Sequence, residues 1–110
     1  MEESSSKVAG RILTLHVVFR PQAESEILEA RNWYAQRRQE LGEAFVAAVD
    51  LAVAAILEHP LAYPRIYGET RRAIMQRFPY AIYFRVLPEE VVVLAVTHGR
   101  RHARHWQARR

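Results

Sequence analysis

Cysteine is missing from this chain of 110 residues. That rules out disulfides, thiolate zinc sites and cysteine nucleophiles, and it points to a reducing cytoplasm as the setting. Long apolar runs are missing too. Even the longest runs, Leu51 to Leu57 and Val91 to Val96, fall far short of the roughly 20 residues a membrane-spanning helix needs. The opening residues 1–10 carry no apolar stretch of the kind a signal peptide requires. Rich in Ser and Glu and without a hydrophobic period, residues 1–12 are expected to be a disordered extension, with a single domain over residues 13–110. No internal repeat is visible.

The charge is unevenly spread. The net charge is +4, but residues 1–70 hold 7 Lys and Arg against 10 Asp and Glu, whereas residues 71–110 hold 9 Arg against Glu89 and Glu90 alone. Every cation of this second part is arginine. A basic half of this kind suits RNA, DNA or a strongly acidic partner protein, and it also serves solubility.

Residues Thr14 to Phe19 are β-branched and aromatic and predict a strand. Pro21 follows, where a helix can start without needing the missing N–H. Ala23, Ile27, Ala30, Tyr34 and Leu41 share one helical face. Gly42 is read as an interruption, with a second helix from about Glu43. Its stripe is Phe45, Val49, Ala52 and Ile56, widened by Val46, Val53 and Leu57, and His59-Pro60 ends it. Two apolar-faced helices so joined should form an antiparallel hairpin covering one side of a sheet.

The segment from Leu61 to Glu69 reads as a connecting loop, and strands are predicted at Arg71 to Arg77, Tyr80 to Leu87 and Val91 to Thr97. In the middle strand Tyr80, Ile82, Phe84 and Val86 should face the helices, and Ala81, Tyr83, Arg85 and Leu87 the other way. Val91 to Val96 does not alternate, as expected of a strand buried on both sides. The outline is α+β: β-α-α-β-β-β, an antiparallel sheet with a helical hairpin on one face.

The wording of the chain is also familiar. Phe19-Arg20-Pro21-Gln22-Ala23-Glu24, then Trp33-Tyr34 and Leu41-Gly42-Glu43-Ala44-Phe45, resemble the helical hairpin of ParE-like toxins. Tyr63-Pro64, Arg71-Arg72, Arg77-Phe78-Pro79-Tyr80-Ala81-Ile82-Tyr83 and Leu94-Ala95-Val96-Thr97-His98-Gly99-Arg100-Arg101, closing on Trp106, continue the likeness in the same order. The resemblance is to the RelE/ParE superfamily. It implies the toxin of a type II toxin–antitoxin system, neutralised in a hetero-oligomer by a cognate antitoxin that covers its basic surface. It also implies one of two targets: DNA gyrase for ParE-type members, or mRNA in the ribosomal A site for RelE-type endonucleases.

An RNase of the second kind needs a base, an acid and cations around a phosphate attacked by the neighbouring 2′-hydroxyl. His98, with Arg72 and Arg77, is the catalytic set this would require, and Arg85 could add charge. Against it, RelE-type enzymes often carry several lysines and a tyrosine or histidine near the C-terminus, whereas here Lys7 is the only lysine, Tyr83 the last tyrosine, and His105 the substitute. A gyrase binder needs only a surface. Arg85, Arg100, Arg101, Arg104, His105 and Trp106 are the candidate target contacts, combining charge with an aromatic anchor. Trp33, at the margin of the first helix's apolar stripe, and Tyr83 are the candidate antitoxin contacts. His98, His102 and His105 lack accompanying carboxylates or thiolates, so no metal and no other cofactor is expected. A binding module without toxicity is the third alternative.

Overall fold

The computed structural model describes residues 16–99. Its elements are β1 (His16–Phe19), α1 (Pro21–Arg37), α2 (Gln39–Glu58), a short 3-10 turn (Pro60–Ala62), β2 (Arg65–Tyr67), β3 (Thr70–Ile74), β4 (Tyr80–Val86) and β5 (Glu90–His98). The strands form one sheet in the order β1-β5-β4-β3-β2. Neighbours from β5 to β2 are antiparallel, but β1 pairs with β5 in parallel, Val17 opposite Val91 and Phe19 opposite Val93. The expected α+β class therefore holds with a mixed sheet. No helix among the described residues is long and apolar enough to cross a membrane.

The helix break falls elsewhere than Gly42. Arg38, extended at φ −154° and ψ 133°, is the one residue between α1 and α2, and Gly42 lies buried inside α2. A Cβ added at Gly42 would stand 2.8 Å from the Ala35 Cβ and 2.9 Å from the Arg31 carbonyl oxygen. This glycine lets two helices touch; it does not end one. We expect Gly42→Val to destabilise the domain by about 2–3 kcal/mol, since a backbone carbonyl cannot move aside. A depressed thermal unfolding midpoint with an unchanged circular dichroism spectrum would show it.

The two stripes meet as their periodicity required. Ala23 and Ala30 of α1, and Phe45, Val49, Val53 and Ile56 of α2, are buried against Ile82 and Phe84 of β4 and Val91, Val93 and Val96 of β5. At one end the rings of Tyr34, Phe45, Phe78 and Tyr80 cluster, with Tyr34 stacked on Phe45 at 5.6 Å and Phe45 edge-on to Phe78 at 5.3 Å. Edge and offset contacts of this kind suit the ring quadrupoles.

Two features of the second half escape sequence reading. The expected loop contains β2, which turns into β3 through Gly68 at φ +57°, a left-handed conformation that glycine adopts without steric cost. β3 also stops at Ile74, short of Arg77, because Met75 and Phe78 turn inward and are buried. In β5 the register slips: Tyr83 faces Ala95 but Phe84 faces Val93, leaving Leu94 as an extra residue. That bulge reverses the side-chain parity. Val91 and Val93 point to the helices before it, Val96 after it, which is why the run shows no alternation.

Past Phe19 the β1 side of β5 has no strand among the described residues. There Glu26 of α1 reaches across, its carboxylate oxygen accepting the Val96 N–H at 2.8 Å. A buried main-chain donor that would lack a ladder partner is thus satisfied by a side chain.

Candidate target and partner interface

Helices occupy one face of the sheet, so the other face and the strand ends are where candidate residues can meet a partner. β4 delivers Ala81, Tyr83 and Arg85 to the face away from the helices, and β3 delivers Thr70 and Arg72. This face is closed at its centre, for Ala81 and Tyr83 are 0% exposed and Ala95 1%. Tyr83, a candidate antitoxin contact, is therefore enclosed. Arg72 lies opposite it in register, with its positive charge acting on the phenol.

Burial pushes the Tyr83 phenol above its ordinary value, while Arg72 beside it pulls the other way. Tyr34 is raised as well, first by burial and then by Tyr80 beside it. Both are acids whose folded pKa exceeds the unfolded value of 10.0. The folded state thus holds these protons more tightly than the unfolded one, so their contribution is complete below about pH 10 and is lost as the pH rises through the folded values. Denaturation midpoints should be level up to about pH 10 and then fall, less steeply in Tyr83→Phe, as equilibrium urea titrations at alkaline pH would record.

The candidate catalytic residues do not converge. His98 ends β5 opposite Tyr80, with ring centroids 5.4 Å apart. Tyr80 packs into the core under the helices, so His98 stands on the helix-facing side, whereas Arg72 stands on the other. Arg77 lies in the turn after β3, exposed, its guanidinium 5.6 Å from the Phe78 ring. Arg71, which no functional reading singled out, is structural: its Nη1 donates to the carbonyls of Tyr63 at 2.6 Å and Leu61 at 3.3 Å and ties the 3-10 turn to the sheet.

Trp33 is half exposed at 49%, edge-on to Tyr34 at 5.0 Å, with the Arg37 guanidinium 3.5 Å above its ring. The marginal position expected from the helical spacing is the one it occupies. Arg100, Arg101, Arg104, His105 and Trp106 lie outside the described residues. Arg85 is exposed on the sheet face away from the helices, where it borders a groove that also takes in Arg20, Leu94 and Ala95. Arg20 is a site residue that sequence reading missed. Its signal was slight, an arginine in the extended position before a helix-starting proline.

Residues 17–103 match the family model described as the ParE toxin of type II toxin–antitoxin systems, parDE. The chain belongs to the ParE toxin family. No curated protein matches it. Among solved structures it is similar to the chromosomal ParDE system of P. aeruginosa, with TM-score 0.69 and 16% identity over 77% of this chain and 96% of that one. It is also similar to the RelBE2 toxin–antitoxin complex of Mycobacterium tuberculosis, with TM-score 0.54 and 20% identity over 80% of this chain and 94% of that one. At these identities the likeness speaks for the fold, and the ParE and RelE architectures are the ones it matches.

Proposed function

We propose that this ParE-family toxin inhibits DNA gyrase and is held inactive by a cognate antitoxin. The observation that carries the gyrase reading is the placement of His98. An endoribonuclease that lacks a metal must bring a proton-transferring group and cations around one phosphate. Here the histidine lies against Tyr80 on the helix side, and Arg72 lies on the opposite face beside Tyr83. A binding inhibitor has no such requirement and needs only a presented surface. The antitoxin reading is supported by the two solved relatives, both of which come from paired toxin–antitoxin systems.

The decisive test uses one preparation of the toxin in two purified systems, gyrase supercoiling and ribosome-dependent mRNA cleavage. Lost supercoiling with intact mRNA is the expected result. Cut mRNA with gyrase unaffected would overturn the proposal in favour of a RelE-type endonuclease, and a clean outcome in both assays would favour the binding module. His98→Ala sharpens the comparison. It should leave gyrase inhibition within about threefold of the parent, since the variant removes a ring contact and no group that touches the target, whereas loss of a general acid or base costs about a hundredfold or more.

A further inference from the structure

The helical hairpin has a second apolar surface, on its side away from the sheet. Between Ala44 and Leu57 the only charged residue of α2 is Asp50, so the helix is apolar nearly all round, as a helix covered on both sides would be. Its inner stripe packs on the sheet. Its outer side carries Ala47, Leu51, Ala54 and Ala55 in the open, with Leu51 73% exposed, and Leu28 of α1 adds a further side chain at 53%. The close approach of Gly42 to Ala35 and to the Arg31 carbonyl fixes how the two antiparallel helices sit. It brings Leu28 and Leu51 level to within ~5 Å along the helix axes, and Arg31 level with the stretch between Glu43 and Asp50. The Arg31 guanidinium donates to the Asn32 Oδ1 at 3.0 Å, and neither it nor Glu43 nor Asp50 forms an ion pair among the described residues.

We infer that this outer face is a homodimer interface. A second copy of the chain covers it, with the twofold axis parallel to the helices, so that α1 of each copy lies over α2 of the other. The face is complementary to itself, which an interface of this symmetry requires. Such an axis preserves height along the hairpin, so each Leu28 meets the other copy's Leu51 among alanines small enough for close helix packing. Each Arg31 likewise comes to Glu43 and Asp50 of the other copy, and the contact is made twice. α2 has no cation of its own, so packing α2 on α2 would instead set Glu40, Glu43 and Glu58 against one another. Two hairpins about 25 Å long and about 20 Å wide enclose ~1,000 Å² in total, the lower bound for a specific interface, so the dimer forms in the micromolar range. Neither gyrase nor an antitoxin takes part in this contact.

The test is sedimentation equilibrium of the full chain, repeated on variants whose changed residues are all exposed. The parent should be a dimer that dissociates in the micromolar range. Leu51→Glu should weaken self-association at least about a hundredfold, with an unchanged circular dichroism spectrum, since it sets a charge into each apolar contact. Arg31→Glu alone, and Glu43→Arg together with Asp50→Arg, should each weaken the dimer about tenfold or more, because like charges then meet. An equimolar mixture of those two variants should pair at least as tightly as the parent. Opposite charges face each other at both contacts of the mixed dimer, an outcome that misfolding cannot produce. A parent chain still monomeric at about 200 µM would overturn the inference and leave the face to another protein. A dimer indifferent to Leu51→Glu, or a mixture that pairs no better than its components, would overturn it as well.

Discussion

Replacing Arg100, Arg101 and Arg104 together with alanine is expected to abolish growth inhibition in cells expressing the toxin, and to abolish inhibition of supercoiling by the purified protein. The reason lies in how the other cations of the basic half are used. Arg71 is spent on the carbonyls of Leu61 and Tyr63, Arg72 stands against the buried Tyr83, and Arg77 leans over Phe78. Arg77 and Arg85 are the exposed arginines of residues 71–99, and five of the nine arginines of residues 71–110 lie past Gly99, so most of the positive charge available for a target is there. Arginines at the centre of an interface cost about 2 kcal/mol or more each when truncated, and three together weaken binding on the order of a thousandfold even with incomplete additivity. The three positions lie outside the described residues, and an unchanged unfolding midpoint is the control that the domain still folds. A triple variant that still arrests growth at unchanged expression would show that the target is gripped elsewhere, with the Arg20 and Arg85 groove next in line.

Phe45→Ala should have the largest effect on the fold. The ring is 0% exposed and stands within 5.1–5.6 Å, centroid to centroid, of Tyr34, Phe78 and Tyr80. It joins α2 to α1 and to the turn and strand beneath them, and neighbours so rigid cannot collapse into the space it leaves. Truncating a buried phenylalanine costs about 3–5 kcal/mol, a large part of the roughly 5–15 kcal/mol that holds a domain together. Urea titration should show a midpoint lowered by about half or a chain unfolded without denaturant. Phe45→Leu, which keeps most of the volume, should recover much of the loss. A stability for Phe45→Ala within about 1 kcal/mol of the parent would mean that the aromatic cluster is not the keystone described here.

Because the same cluster supports Tyr80, and Tyr80 holds His98, this variant also separates fold from function in a useful way. A partly folded Phe45→Ala protein that loses gyrase inhibition says nothing about His98. The His98→Ala variant, with the cluster intact, does.

The hairpin was readable because helical burial repeats with a period the side chains must obey, and Phe45, Val49 and Ile56 could lie together in no other way. The alternation in β4 was equally plain, since Tyr80, Ile82 and Phe84 are separated from Ala81, Tyr83 and Arg85 by the pleat alone. Local pattern also placed Trp33 at a margin. Gly42 was misread for a physical reason. A glycine that ends a helix and a glycine that admits a neighbouring helix have the same side chain, and only the position of Ala35 and Arg31 across the gap tells them apart.

What the chain alone determined, then, is every feature carried by short-range periodicity and by composition: the helical pair, the inward face of β4, the basic second half and the family phrases. What only the tertiary structure decided rests on contacts between residues far apart in the chain. These are the parallel pairing of β1 with β5, the bulge at Leu94, the carboxylate of Glu26 closing the edge at Val96, the opposite faces taken by His98 and Arg72, and the groove that Arg20 and Arg85 both line. Strand register and bulges are set by which partner lies alongside, and no local signal in a single strand records its partner.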